Sequence, residues 1–221
     1  MSGLSNLVMW KQPWNSDAES TFRQALAQVG ASIQELPSQQ WNSSSSTIGG
    51  IRDYLVSYLA PASNTWSSVN LHLNSNLAES LSAELSRLAA SPAIIVREYD
   101  ETAWGYCIFE AGVLRNCFWN IPWVVEVLPE SCAGDVDLVS SLFGVPANSV
   151  APYLMQFPDN GPEGKAFDND QFALNNPWVR IDFMRRLGLA YPEPGRAPFG
   201  RYVLIKESNR TPLNIANAHE R

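Results

Sequence analysis

Histidine is nearly absent from this sequence. Of 221 residues only two are imidazoles: His219, close to the C-terminus, and His72, in the alternating stretch VNLHL that reads as a strand. A Ser–His or Cys–His dyad would have to rest on His72, for which a hydrogen-bonded sheet position is the plainer reading. Cysteine is scarce too. Cys107, Cys117 and Cys132 are odd in number and match no zinc or redox spacing, which argues for reduced thiols over a disulfide framework. No stretch approaches the roughly 18 consecutive apolar residues of a membrane-spanning helix. The opening MSGLSNLVMWKQPW has neither a basic segment nor an apolar run long enough for secretion, so a cytoplasmic protein without membrane contact is expected. Positive charge is the minority sign: 15 Lys and Arg stand against 22 Asp and Glu, for a net charge of -7. The basic residues do not cluster, which disfavours nucleic acid as a ligand. Also missing are the G-x-S-x-G elbow, the Walker A loop, the G-x-G-x-x-G turn and the H-E-x-x-H helix, whose chemistries need a strained turn, a nest of N–H groups or two ligands one turn apart. Their absence argues against an enzyme.

What is there reads as a folded α+β protein. An apolar fraction of 45% and a charged fraction of 17% suit one domain, placed at 1–205 with a polar tail at 206–221. Ser16 with Glu19 predicts a capping box, Phe22, Leu26 and Val29 share one face, and Gly30 supplies a left-handed stop. Asn76 with Glu79 repeats the capping pattern, and Leu77, Leu81, Leu85 and Leu88 make a stripe that must pack on a sheet. A third helix is predicted from Asn176 as cap and Pro177 at its first position, through Ile181, Met184 and Leu187, to Gly188. Shorter helices fit 51–59, 135–143 and 147–156. Strands are expected at 6–10, 32–36, 66–73 and 200–205. Between the helices, 93–99, 104–110 and 113–119 are rich in β-branched and aromatic residues and read as a central three-stranded meander in an antiparallel or mixed sheet. If Ala111-Gly112 is a two-residue turn, Tyr106 faces Cys117 and Cys107 lies on the opposite side of the sheet, whereas a three-residue loop would bring both thiols to one face.

Two segments are irregular: the Ser-rich QQWNSSSST at 39–47, and FPDNGPEGKAFDNDQFALNN at 157–176, a connection long enough to be functional or disordered. Phe157, Phe167 and Phe172 could pin the second to the body. Within it Asp168 and Asp170 have the D-x-D spacing of a cation loop, but the later glycine and glutamate of such a loop are missing, and turn formation explains them better. No metal or cofactor is expected. Glu98, Asp100, Glu101 and Glu110 surround the first hairpin, where charges usually make a solvated edge.

The eight tryptophans are the unusual count. Trp104 and Trp119 sit on strands and Trp178 in the first turn of a helix, all placed to cover the sheet, with core packing the plainer reading for each tryptophan. Trp10, Trp14 and Trp41 lie in polar or Pro-containing surroundings that suit exposed anchors. With Phe167, Asp168 and Asp170 they make the expected contact surface. The Leu-striped helix, a strand, an aspartate and then AWGYCIFEAGVL, with LFGV at 142–145 and WVRIDFMRRLGL at 178–189, resemble a pattern in uncharacterised bacterial α+β proteins, some of them similar to immunity proteins of toxin systems. The resemblance brings no catalytic residue with it. With an empty catalytic inventory and a full tryptophan one, the expected function is a non-catalytic domain, immunity-type or inhibitory, that binds a protein partner, a basic one given the acidic balance, with a homo-oligomer also allowed. The rivals are a small-molecule enzyme or sensor with a pocket between the sheet and the 157–176 loop, and a structural assembly component.

Overall fold

The computed structural model describes residues 4–35, 54–72, 75–125, 129–158, 161–191 and 201–207. Trp41, the 39–47 segment, His219 and the tail beyond 207 lie outside them. The fold is α+β. Eight strands form one sheet: β1 (Leu4–Trp10), β2 (Ala31–Glu35), β3 (Tyr54–Pro61), β4 (Ser67–His72), β5 (Ala93–Tyr99), β6 (Ala103–Glu110), β7 (Val113–Trp119) and β8 (Arg201–Glu207), in the order β2-β8-β3-β4-β1-β5-β6-β7. Every neighbouring pair is antiparallel. The meander of β5, β6 and β7 makes one end of this sheet instead of its centre, which belongs to β4 and β1. The expected helix at 51–59 is, from Tyr54 onward, strand β3, held on both sides by β4 and β8. Sheet pairing on two flanks overrides the local preference there.

Helices cover both faces, and the alternation along each strand sorts side chains between them. Helices α1 (Ser16–Gln28) and α2 (Ser75–Leu88) lie over Val8, Trp10, Ile95, Cys107, Phe109, Cys117 and Trp119. The other face carries Leu7, Met9, Ile94, Val96, Trp104, Tyr106 and Phe118. Its cover is α3 (Val136–Phe143), the 3-10 turns at Ala147–Ser149 and Ala151–Tyr153, the loop after them and α4 (Val179–Arg186). Helix α1 starts one residue earlier than its sequence suggests: Asn15 Oδ1 accepts from the backbone N–H groups of Asp17 and Ala18 at 3.0 and 2.9 Å. Glu19 pairs with Arg23 at 2.9 Å, and Gly30 closes the helix at φ 75°. Leu77, Leu81 and Leu85 of α2 are buried and Leu88 half-buried, so the stripe packs where its spacing puts it. At α4, Asn176 Oδ1 accepts from Trp178 N at 2.9 Å and regular helix begins two residues beyond the expected first position.

The β6–β7 hairpin decides how the thiols are arranged. Ala111 and Gly112 stand at φ 50° and 83°, the two left-handed residues of a type I′ turn, even though alanine is a poor choice for it. Glu110 therefore faces Val113, but the register then shifts between Ile108 and Phe109, and Cys107 ends opposite Cys117. A bulge in β7 does what a longer turn would have done, and the expectation that the two thiols lie on opposite faces is overturned. Beside them Gly105, between Arg97 and Trp119 in register, is a site of close approach. A Cβ there would sit 2.2 Å from the Phe118 carbonyl oxygen and 2.6 Å from the Trp119 ring. Backbone and a buried ring cannot give way as a flexible side chain can, so Gly105→Ala should destabilise by about 1–3 kcal/mol through overpacking. A urea midpoint equal to wild type would show that the strands separate freely.

Candidate functional site

Of the residues expected to meet a partner, Trp10 is fully buried. It shares the parity of Val8 on β1 and stacks on Phe22 of α1 at 5.8 Å, so it belongs to the core and not to an interface. Trp14 is half-buried against the same cluster. Phe167 is half-buried under the Arg186 guanidinium, which lies 4.1 Å from its ring centre. Asp168 is exposed. Asp170 is buried and fully engaged, which removes it as a contact residue: Tyr153 OH donates to its Oδ2 at 2.6 Å, Phe167 N donates to the same oxygen at 3.0 Å, and Arg186 Nη2 donates to Oδ1 at 2.9 Å. Burial works to raise the Asp170 carboxyl, and these donors hold it below the ordinary carboxylate range instead. His72 occupies the end of β4, opposite Ser5 in register.

The 157–176 loop is thereby a clamped segment. Phe157 and Leu174 are buried, and Phe167 and Phe172 pack against the same core. A second carboxylate, Asp182 of α4, accepts from Gln171 N and Phe172 N at 2.9 and 2.8 Å and from Arg185 at 2.7 Å. These apolar side chains pack against the sheet in the region where the enzyme reading placed its pocket. Burial also raises the Tyr153 phenol, with the bond to Asp170 adding to it, so the hydroxyl stays a donor.

On the opposite face the three thiols form a row. Cys117 has Cys107 beside it on β6 and Cys132 beside it on the other flank, and all three are buried and free. Cys132 closes a 3-10 turn, Pro129–Cys132, that returns along the edge of β7. Ala133 bridges Phe118, and Gly134 N donates to Cys117 O at 2.9 Å. Because that carbonyl points away from β6, Cys107 and Cys117 form a non-hydrogen-bonded pair, the closer kind. The single Cys117 S–H has three acceptors in reach: Ser131 O at 3.0 Å and the two flanking sulfurs. Its hydrogen bonds to Cys107 and Cys132, with burial, push the Cys117 thiol up. Both flanking thiols are lowered, Cys107 by its bond from Cys117 against burial and with Arg97 nearby, and Cys132 in the same way. At Cys132 the bond from Cys117 outweighs burial and, with the Ser131 hydroxyl and Arg97, brings the thiol down to about 7. Arg97, buried one row along the sheet, pairs with Glu79 of α2 at 2.7 Å. The sequence held the signal for this row, since cysteines flanking a tight turn meet in some register, but the bulge chose which one.

Exposed apolar side chains lie at the start of β7 and on the segments that follow its end. Val113 and Leu114 begin the strand at 58% and 43% exposure. Trp123, 42% exposed, follows four residues after its end, in the 3-10 turn Pro122–Val125. Met155, 47% exposed, lies two residues before Phe157, whose N–H donates to Asn120 O at 2.8 Å. Glu130, Asp135 and Asp137 are exposed on the segment that borders β7. Trp178, expected to cover the sheet, is exposed instead and lies on Arg180, 4.2 Å from ring centre to guanidinium. Among the described residues no helix is long and apolar enough to cross a membrane. No protein-family model, curated protein or solved structure matches the chain.

Proposed function

We propose that this chain is a non-catalytic protein-binding domain, and that its contact surface is the β7 edge with the segments hydrogen-bonded to its end. One observation carries the reading: of the five large apolar side chains most exposed among the described residues, Val113 and Leu114 begin β7, and Trp123 and Met155 stand on segments joined to the backbone at its other end. Exposed large hydrophobes at both ends of one edge strand, a tryptophan among them, supply the anchors that an interface uses. The occupant we propose is a basic protein segment with apolar anchors, because Glu130, Asp135 and Asp137 border the edge and the chain carries a net charge of -7. A second copy is disfavoured. The bulge and the exposed Arg115 on β7 are the devices that blunt an edge against pairing with itself. Three free thiols fit a reducing, cytoplasmic setting.

Panning a displayed random-peptide library on the purified protein tests this. The enriched peptides should be basic with interspersed apolar residues, and Trp123→Ala or Leu114→Lys should weaken them about tenfold or more, since an exposed anchor is worth roughly 2 kcal/mol. Both variants should melt within a few degrees of wild type. Enrichment of acidic or neutral peptides, or equal binding to both variants, would remove the edge as the site. So would a concentration-dependent dimer lost in Leu114→Lys.

A further inference from the structure

We propose that Cys117 and Cys132 are an oxidation site, a dithiol that hydrogen peroxide converts to an intramolecular disulfide. This goes beyond the partner-binding reading and does not depend on it. The geometry comes first. The Phe118–Ala133 bridge places Cys132 opposite Trp119, on the same face of the sheet as Cys117 and diagonal to it. Their placement in adjacent backbone segments is fixed independently by the Gly134 N to Cys117 O bond at 2.9 Å.

Cys107 faces Cys117 directly, yet it is the poorer partner. Both of its neighbours in the ladder are fixed, with Ile95 on one side and Cys117 on the other, and it lies under α2. A non-hydrogen-bonded pair between two fixed strands holds its Cα atoms about 4.5 Å apart, at the short limit of disulfide geometry of about 4.4–6.8 Å, whereas the diagonal Cys132 starts at about 7–8 Å and bonds only by moving toward Cys117. Cys132 is itself as buried as Cys107, but it ends a short turn between exposed Ser131 and Ala133, where the backbone can open to a small oxidant and adjust to the S–S bond.

The chemistry balances with peroxide as the only co-reactant. Cys132, its proton released to solvent, attacks one peroxide oxygen; the O–O bond breaks, Cys132 becomes a sulfenic acid, and the departing hydroxide takes up a proton to give water. The Cys117 sulfur then attacks the Cys132 sulfur as it loses its own proton. The S–O bond breaks and the hydroxide leaves as a second water. Two thiols have given up two electrons, and one peroxide has become two waters.

The sequence makes the product easy to recognise. Cleavage after Arg and Lys leaves Cys107 in the peptide 98–115 and keeps Cys117 and Cys132 together in the peptide 116–165. The reduced full-length protein, freed of reductant and treated with hydrogen peroxide, is digested without reduction and weighed. The expected result is a 116–165 peptide lighter by two hydrogens, restored by a dithiol reductant, with Cys107 still open to alkylation. Cys107→Ser should react to the same extent, and Cys132→Ser should lose the product. A cross-link between the two peptides, an intermolecular disulfide, sulfinic or sulfonic products without the disulfide, or an unreacted protein would each overturn the proposal. The wild-type digest decides by itself if a variant fails to fold.

Discussion

Arg180→Ala is expected to cost about 3–5 kcal/mol of folding free energy, because it leaves Glu98 buried without its counter-charge. Glu98 is on β5, opposite Trp104, and faces the layer that holds α4. From α4, Arg180 Nη2 donates to Glu98 Oε2, and Nη1 donates to the Pro177 carbonyl at 2.9 Å. The two side chains are 3% and 9% exposed. Trp178 and Tyr191 rings flank the guanidinium, at 4.2 and 5.9 Å from their centres, so the indole that remains at the surface does so by roofing this pair. Removing one charge strands the other. Replacing both, as Arg180→Met with Glu98→Met, should recover most of the loss, since the desolvation cost of the pair disappears with it. Urea unfolding of the two singles and the double gives the coupling directly. A single Arg180→Ala variant as stable as wild type would mean that Glu98 is hydrated after all.

Glu98 also illustrates what the sequence conveyed and what it did not. A glutamate beside a hairpin reads as a solvated edge, and its true partner comes from 82 residues further along the chain. The same contrast runs through the fold. The boundaries of β5 and β7 and the packing face of α2 were legible, because alternation, turn residues and a leucine stripe are local signals. The order of the eight strands was not, since β1 comes to lie between β4 and β5 by long-range pairing that no short window contains. Trp10 was misread from its neighbours Lys11, Gln12 and Pro13, although its parity with Val8 already placed it on an inner face. The thiol row escaped because one bulged residue inverts the facing of everything beyond it. The D-x-D in the long loop was visible. Its meaning was not, because the groups that bind Asp170 lie as far as 16 and 17 positions away.

That loop is where the second large effect is expected: Asp182→Ala should destabilise by about 2 kcal/mol or more and free the segment before α4. The Asp182 side chain is fully buried against its neighbours, and its loss strands Gln171 N and Phe172 N as well as one face of Arg185. Both bonds are part-buried, so each donor left without its acceptor costs toward the lower end of about 1–3 kcal/mol; Arg185, 43% exposed, can turn to water and adds little. Hydrogen exchange at the amides of Gln171 and Phe172 should quicken together with the drop in urea midpoint. Asp170 adds a pH signature. Its folded carboxyl titrates below the ordinary range, so its contribution is complete above the unfolded value of about 3.9 and fades as pH falls through the lower, folded one. Asp170→Asn should therefore be less stable than wild type at neutral pH, with the difference shrinking on acidification below about pH 4. If the loop is a clamp and not a docking element, neither variant should change capture of the basic peptides selected on the β7 edge as long as the protein stays folded. Unchanged protection and midpoint in Asp182→Ala would show that the loop is held by its phenylalanines alone.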